Sequence, residues 1–354
     1  GGARRGRGHG RGEPGGSEVM AVAEARELQL PIGCFGKLPS RGDFVGGEGN
    51  HQLMHMLDRW SGHALELMAR NPSWRQLYDE AEPLHFAFLG SANRVAVGGH
   101  FIPSRDASGR RFPFLLAARL EVPRPLAFIG RSTLALSRPW SLMERLGRQA
   151  LEADDAAPAL REIGAARVGI EAGTRAWDAA FDEFLDLQDV AALQALLQRP
   201  GRPPLLLRQV LPALGLLLQP VAAAGGGVDK GLSLPLPADP LYRPLVAAFW
   251  LDLVSGFLAR ADFELVLLLS GGSAHRGQDP RLLLGFNGAD GRTLHGALDP
   301  TEATTRFVDL ADAEWVDGQL SGDYGLDKLA SHLDRGDLAL RTARAAFNRT
   351  FLGI

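Results

Sequence analysis

Three apolar runs close together in the first third of the chain constrain its fold more than any other feature. Leu84–Leu89, Arg94–Ile102 and Arg111–Leu120 all read as β-type segments, and turn chemistry separates them. Gly90–Asn93 joins the first two. Pro103–Arg110 (PSRDASGR) joins the second and third, with Asp106 able to bond back to the backbone and Gly109 able to take a positive φ. Three such runs joined by turns form an antiparallel meander.

Flanking elements extend this meander. Ile32–Phe35 is a strand that enters a loop at Gly36 and Pro39. His51–Arg70 carries Leu53, Leu57, Trp60, Ala64, Leu67 and Met68 at helical spacing, and Asn71-Pro72 closes it. A further helix is read over about Pro139–Glu152. Residues 31–165 are thus expected to form an α/β domain whose sheet is largely antiparallel and flanked by helices. Thr174–Gln198 reads as one helix, capped by Thr174 and stopped by Pro200. Residues 166–240 combine that helix with a Pro/Gly/Leu-rich, partly packed connection containing Gly225-Gly226-Gly227. Residues 241–354 are expected to form a smaller α/β domain. It has a helix at Pro244–Arg260, strands at Phe263–Leu269 and Arg281–Asn287, a helix or the start of one at Thr301–Leu310, and a terminal helix over Leu326–Phe351 interrupted near Gly336.

A chain of 354 residues with 45% hydrophobic and 22% charged residues can bury a full core without disulfides or metals. The net charge of −3 supplies no global field toward nucleic acid or anionic lipid. The single cysteine, Cys34, can form no internal disulfide and suits a reducing compartment. Leu205–Ala224, the most apolar stretch, contains Arg208, Gln209, Pro212, Gln219 and Pro220 and does not read as a span of roughly 20 apolar residues. The Gly/Arg-rich start leads into no apolar stretch of a secretion signal. A cytoplasmic protein without membrane insertion is therefore expected. Residues 1–30 are read as a disordered tail, and Met20 as the natural start, with what precedes it an upstream or cloning extension.

The candidate chemical motifs are incomplete. A phosphate loop ending at Lys37 needs a glycine where Pro31 stands and a hydroxyl where Leu38 stands. Ser273 lies beside His275, but a nucleophile elbow wants glycine at that position. His51 and His55 share a helix face without the intervening acid of a zinc helix. No catalytic residue, cofactor or metal is expected. The alternative reading is a nucleotide- or small-ligand-binding switch, or a hydrolase, built from Lys37, Asp43, Asp106 and Arg110. A third is RNA binding through the Arg-Gly tail.

The segment Gly33–Val45 (GCFGKLPSRGDFV) resembles the N-terminal signature of the type VI secretion system-associated TagF (ImpM-like) family through Gly36, Lys37, Leu38, Pro39, Gly42, Asp43 and Phe44. Asp58 and Trp60 resemble the family's first-helix motif. Pro103, Ser104, Asp106, Gly109, Arg110, Phe112 and Pro113 resemble its second signature, in the right order and at the right spacing. The resemblance implies a longin- or profilin-like N-terminal domain and a non-enzymatic regulatory accessory protein. Such a protein represses secretion after translation by binding the forkhead-associated-domain scaffold protein of the system, and binds no nucleic acid. The matched positions are then partner-binding or signature residues. Two departures stand out: Gly46–Asn50 replaces a basic stretch, and a tryptophan pair expected around Gly226–Leu236 is absent.

Overall fold

The computed structural model describes residues 27–47, 50–224 and 230–354. Residues 1–26, most of the expected tail, lie outside the described residues, as do Glu48 and Gly49 of the divergent stretch and Gly225–Gly227. Glu27–Leu30, expected within the tail, instead belongs to strand β1 (Glu27–Pro31), which pairs antiparallel with β7 (Arg167–Glu171). Leu28 and Leu30, the two half-buried positions of β1, pack against the larger core, so burial rather than a strong β signature holds this short strand.

The remaining described strands form one nine-stranded sheet. In chain order they are β2 (Gly33–Gly36), β3 (Val45–Gly46), β4 (Leu84–Gly90), β5 (Val95–Ile102), β6 (Phe114–Glu121), β8 (Gly231–Pro235), β9 (Glu264–Ser270), β10 (Arg281–Gly285) and β11 (Phe307–Asp309). Across the sheet the order is β11-β8-β10-β9-β4-β5-β6-β2-β3, with β8–β11 the parallel pair. The expected meander is β4-β5-β6, antiparallel throughout. Strands from the two ends of the chain meet where β4 pairs with β9, from Leu84 opposite Ser270 to Gly90 opposite Glu264. Pairing these two strands removes an open edge from each half of the sheet.

Helices cover both faces, the arrangement that buries a two-sided apolar sheet. On β9, Leu265, Leu267 and Leu269 enter the larger core, while Val266 and Leu268 enter the second. The larger core takes Leu136, Trp140 and Met143 of the helix Ser132–Glu152. The second takes Leu57, Trp60 and Ala64 of the helix His51–Met68. The fold is therefore α/β, with a largely antiparallel sheet flanked by helices.

Four elements depart from expectation. The helix read from Pro139 begins at Ser132 and carries Pro139 inside it. Pro139 has no N–H to give to Ala135, but buried Leu134 and Leu136 extend the apolar face upstream of it. Thr174–Gln198 is two helices, Arg175–Leu187 and Val190–Leu196, and Thr174 makes no cap bond. Asp189 starts a new helix by accepting from Ala192 N, and the Val190 and Leu340 amides tie the break to the C-terminal segment. Pro200–Pro240 holds the helix Leu207–Ala224 and strand β8 where a connection was expected. In Thr301–Leu310 the helix is present as Pro300–Arg306, but the segment goes on into strand β11 and does not continue as helix. The interruption near Gly336 is present, between the helices Tyr324–Leu333 and Leu340–Leu352.

Candidate functional site

The turn after β2 and the β5–β6 loop form one braced unit. Gly36 has φ +137°, and a Cβ there would sit 1.9 Å from Pro113 O, so only glycine lets these two backbones approach. Leu38 is buried and Pro39 exposed, and Arg41 N donates to Leu38 O at 3.0 Å, closing a turn with proline at its second position. In the other loop Asp106 O accepts from Gly109 N at 2.9 Å, with Gly109 at φ +81°.

Asp106 is the hub. Its Oδ1 accepts from Ser108 N, Ser108 Oγ and Arg110 N at 3.0, 2.7 and 3.0 Å. Its Oδ2 accepts from Lys37 Nζ at 2.9 Å and Arg110 Nε at 2.7 Å. These donors hold the carboxyl well below the usual carboxylate range, against the opposing effect of burial. The loops are further tied by Arg110 Nη2 to Gly42 O at 2.7 Å and Ala107 N to Arg41 O at 2.8 Å. Ser104 Oγ donates to Lys37 O at 2.6 Å, and Ser104 N donates to the Tyr78 hydroxyl at 3.0 Å.

Over this base lie three phenylalanines. Phe44 stacks on Phe35 with centroids 5.4 Å apart and meets Phe112 edge-on at 4.9 Å. Lys37 Nζ stands 4.9 Å from the Phe44 centroid. Phe112 is buried, whereas Phe44 remains 45% exposed, so the unit presents a pre-oriented aromatic ring to solvent. Asp43, also exposed, accepts from Phe44 N at 2.8 Å.

The sequence-derived candidates thus fall into three groups. Gly36, Lys37, Leu38, Gly42, Ser104, Asp106, Gly109, Arg110 and Pro113 build the brace, while Pro39, Asp43 and Phe44 lie on its exposed side. Pro103 is half-buried at the end of β5. Trp60, 1% exposed against Phe86 and Phe88, belongs to the core, and half-buried Asp58 lines a separate open groove with Gln52, His55 and His63. Among the described residues no group of three His, Cys, Asp or Glu is placed to hold a metal. The stretch around Ser273 is a loop, with Ser273 and Gln278 exchanging backbone hydrogen bonds. Sequence reasoning missed Tyr78 and the pairing of Arg111 with Asp79, for which no motif signal exists. Phe35 and Phe112 belong to the two signature segments, but their packing with Phe44 was not legible in the sequence.

No curated protein matches the chain. Among solved structures it is similar to the crystal structure of PA0076 from Pseudomonas aeruginosa PAO1. The identity is 19% over 74% of this chain and 93% of that one, with a TM-score of 0.39. The TagF N-terminal domain, described as type VI secretion system-associated, matches residues 33–165, which contain both braced loops and all three phenylalanines. Residues 33–165 therefore belong to the type VI secretion system-associated TagF N-terminal domain family.

Proposed function

We propose that this chain is a non-enzymatic, cytoplasmic regulator of the type VI secretion system that represses secretion after translation by binding the system's forkhead-associated-domain scaffold protein. The match of residues 33–165 to a domain of that system carries the reading. The site chemistry supports it. Lys37 donates to Asp106, and Asp106 is filled by that bond and by the Ser108 and Arg110 donors, which suits a scaffold more than a reacting group. A ring fixed by stacking, half open to water and set on a rigid loop is the kind of anchor that gives binding energy at low ordering cost. The helices of the described residues include none long and apolar enough to cross a membrane.

The test is co-purification of the scaffold with this chain, combined with a secretion assay on overexpression. Retention of the scaffold together with suppressed secretion supports the proposal. No retention and unchanged secretion would refute it.

A further inference from the structure

Far from the braced loops, at the opposite edge of the sheet, we infer a small-molecule site that takes an oxyanion group, carboxylate or phosphate, on Arg281. A cavity of about 350 Å³ opens there, within the size range of small-ligand sites. It lies at the carboxyl ends of the parallel strands β8 and β11, where Ser233, Pro235 and Asp309 line it. Crevices at the carboxyl ends of parallel strands are habitual ligand positions. Arg281 opens β10 directly opposite Pro235 and so faces the same end.

The cationic groups of this cavity are short of partners. The Arg281 side chain makes no hydrogen bond or ion pair with any described residue; burial pulls its pKa down from the ordinary arginine value, and the Asp309 charge only partly opposes this. Arg199 gives one bond, Nη2 to Ala311 O at 3.2 Å, and its Nε is buried without a partner. Desolvated donors left unmade are costly, and a guanidinium fork matches a carboxylate or phosphate edge through two parallel bonds. Nearby Asp309 is already occupied on Oδ1, by Ser233 Oγ at 3.3 Å and Ala311 N at 3.1 Å.

The remaining lining narrows the ligand. Pro235, Pro280 and Phe307 supply apolar wall, while Asp279, Asp309 and Asp312 add negative charge. Three carboxylates beside the arginines disfavour a polyanion. The combination suits a compact molecule with one anionic group and an apolar body.

The full chain is titrated with phenylacetate and, separately, with inorganic phosphate by calorimetry at millimolar concentration. Arg281→Ala, Arg281→Lys, Arg199→Ala and the distant control Arg59→Ala are run in parallel. Expected is saturable binding of phenylacetate, weakened about tenfold or more by either Arg281 variant, less by Arg199→Ala and not at all by Arg59→Ala. Saturation by phosphate alone with the same variant pattern would keep the oxyanion site and assign it to phosphate. Should Arg281→Ala not fold, Arg281→Lys retains charge and length but not the fork and gives the same reading. No saturable binding of either probe, or equal binding by wild type and folded Arg281 variants, overturns the inference.

Discussion

Lys37 and Asp106 stand 69 positions apart in the chain, yet Lys37 Nζ lies 2.9 Å from Asp106 Oδ2 with both side chains almost removed from solvent. This contact joins the two signature loops into one object. Ala107 N to Arg41 O, Arg110 Nη2 to Gly42 O and Ser104 Oγ to Lys37 O reinforce the same junction.

Removing Asp106's charge leaves Lys37 buried without its carboxylate, while removing Lys37 takes one donor from a buried carboxylate that keeps Arg110 and Ser108. Lys37→Met and Asp106→Asn should each lower the melting temperature by several degrees at neutral pH. The Asp106 effect has a defined pH window. Its folded pKa lies below the unfolded value near 4, so its contribution is complete above that value and is lost as pH falls below it. The gap between wild type and Asp106→Asn should therefore close in acid. Melting curves at pH 7 and below pH 4 check this, and a gap independent of pH would remove the ion pair from the account.

Gly36 and Gly109 both have positive φ, but their surroundings differ. A Cβ on Gly109 meets nothing within 4 Å, while one on Gly36 strikes the Pro113 carbonyl. Gly109→Ala should cost about 1 kcal/mol, the conformational penalty alone. Gly36→Ala should cost distinctly more, because the loops must also separate. Urea unfolding of both variants tests the ranking.

Trp60 should behave as core. Trp60→Ala should destabilise by about 3–5 kcal/mol and Trp60→Phe by less. Chemical denaturation gives both values, and a near-neutral Trp60→Ala would contradict its placement between Phe86 and Phe88.

A second, partly buried pair gives a separate pH signature. His85 and His100 approach Nδ1 to Nδ1 at 2.9 Å, and His85 stacks on Trp140 with centroids 5.3 Å apart. Burial lowers the pKa of His85 to about 4 and that of His100 to about 2, helped by Arg243 near the first and by His85 and Arg148 near the second. Both rings are therefore neutral in the fold above about pH 4, although Glu144 stands 3.8 Å from His85 Nε2. Because the unfolded chain binds protons first, their share of stability is full above about pH 6.5 and drains as pH falls from there toward 4. A His85→Phe/His100→Leu variant should show a flatter melting temperature between those pH values than wild type.

Much of this was legible in the residues, for identifiable reasons. The meander followed from turn residues at Gly90–Asn93 and Pro103–Arg110. The brace components Gly36, Lys37, Asp106 and Arg110 stood out because glycine and charge are informative in short loops. Their mutual contact did not, since nothing local in either loop encodes a partner 69 residues away. The helix break at Gln188-Asp189 hid behind continuous apolar spacing, because an aspartate reads equally well as a surface residue and as a cap. The β4–β9 joint was invisible, because a strand buried on both faces does not announce its neighbours. Arg281 carried no motif at all, and only the cavity around it gives it meaning.

Phe44, presented by the braced unit, is the proposed anchor for the forkhead-associated scaffold, and calorimetric titration of that scaffold with the full chain tests this most directly. The wild type should bind saturably, and Phe44→Asp should weaken binding about tenfold or more while shifting the melting temperature little, since the ring is already 45% exposed. Equal binding by wild type and a folded Phe44→Asp variant, or no binding by the wild type, would contradict the account.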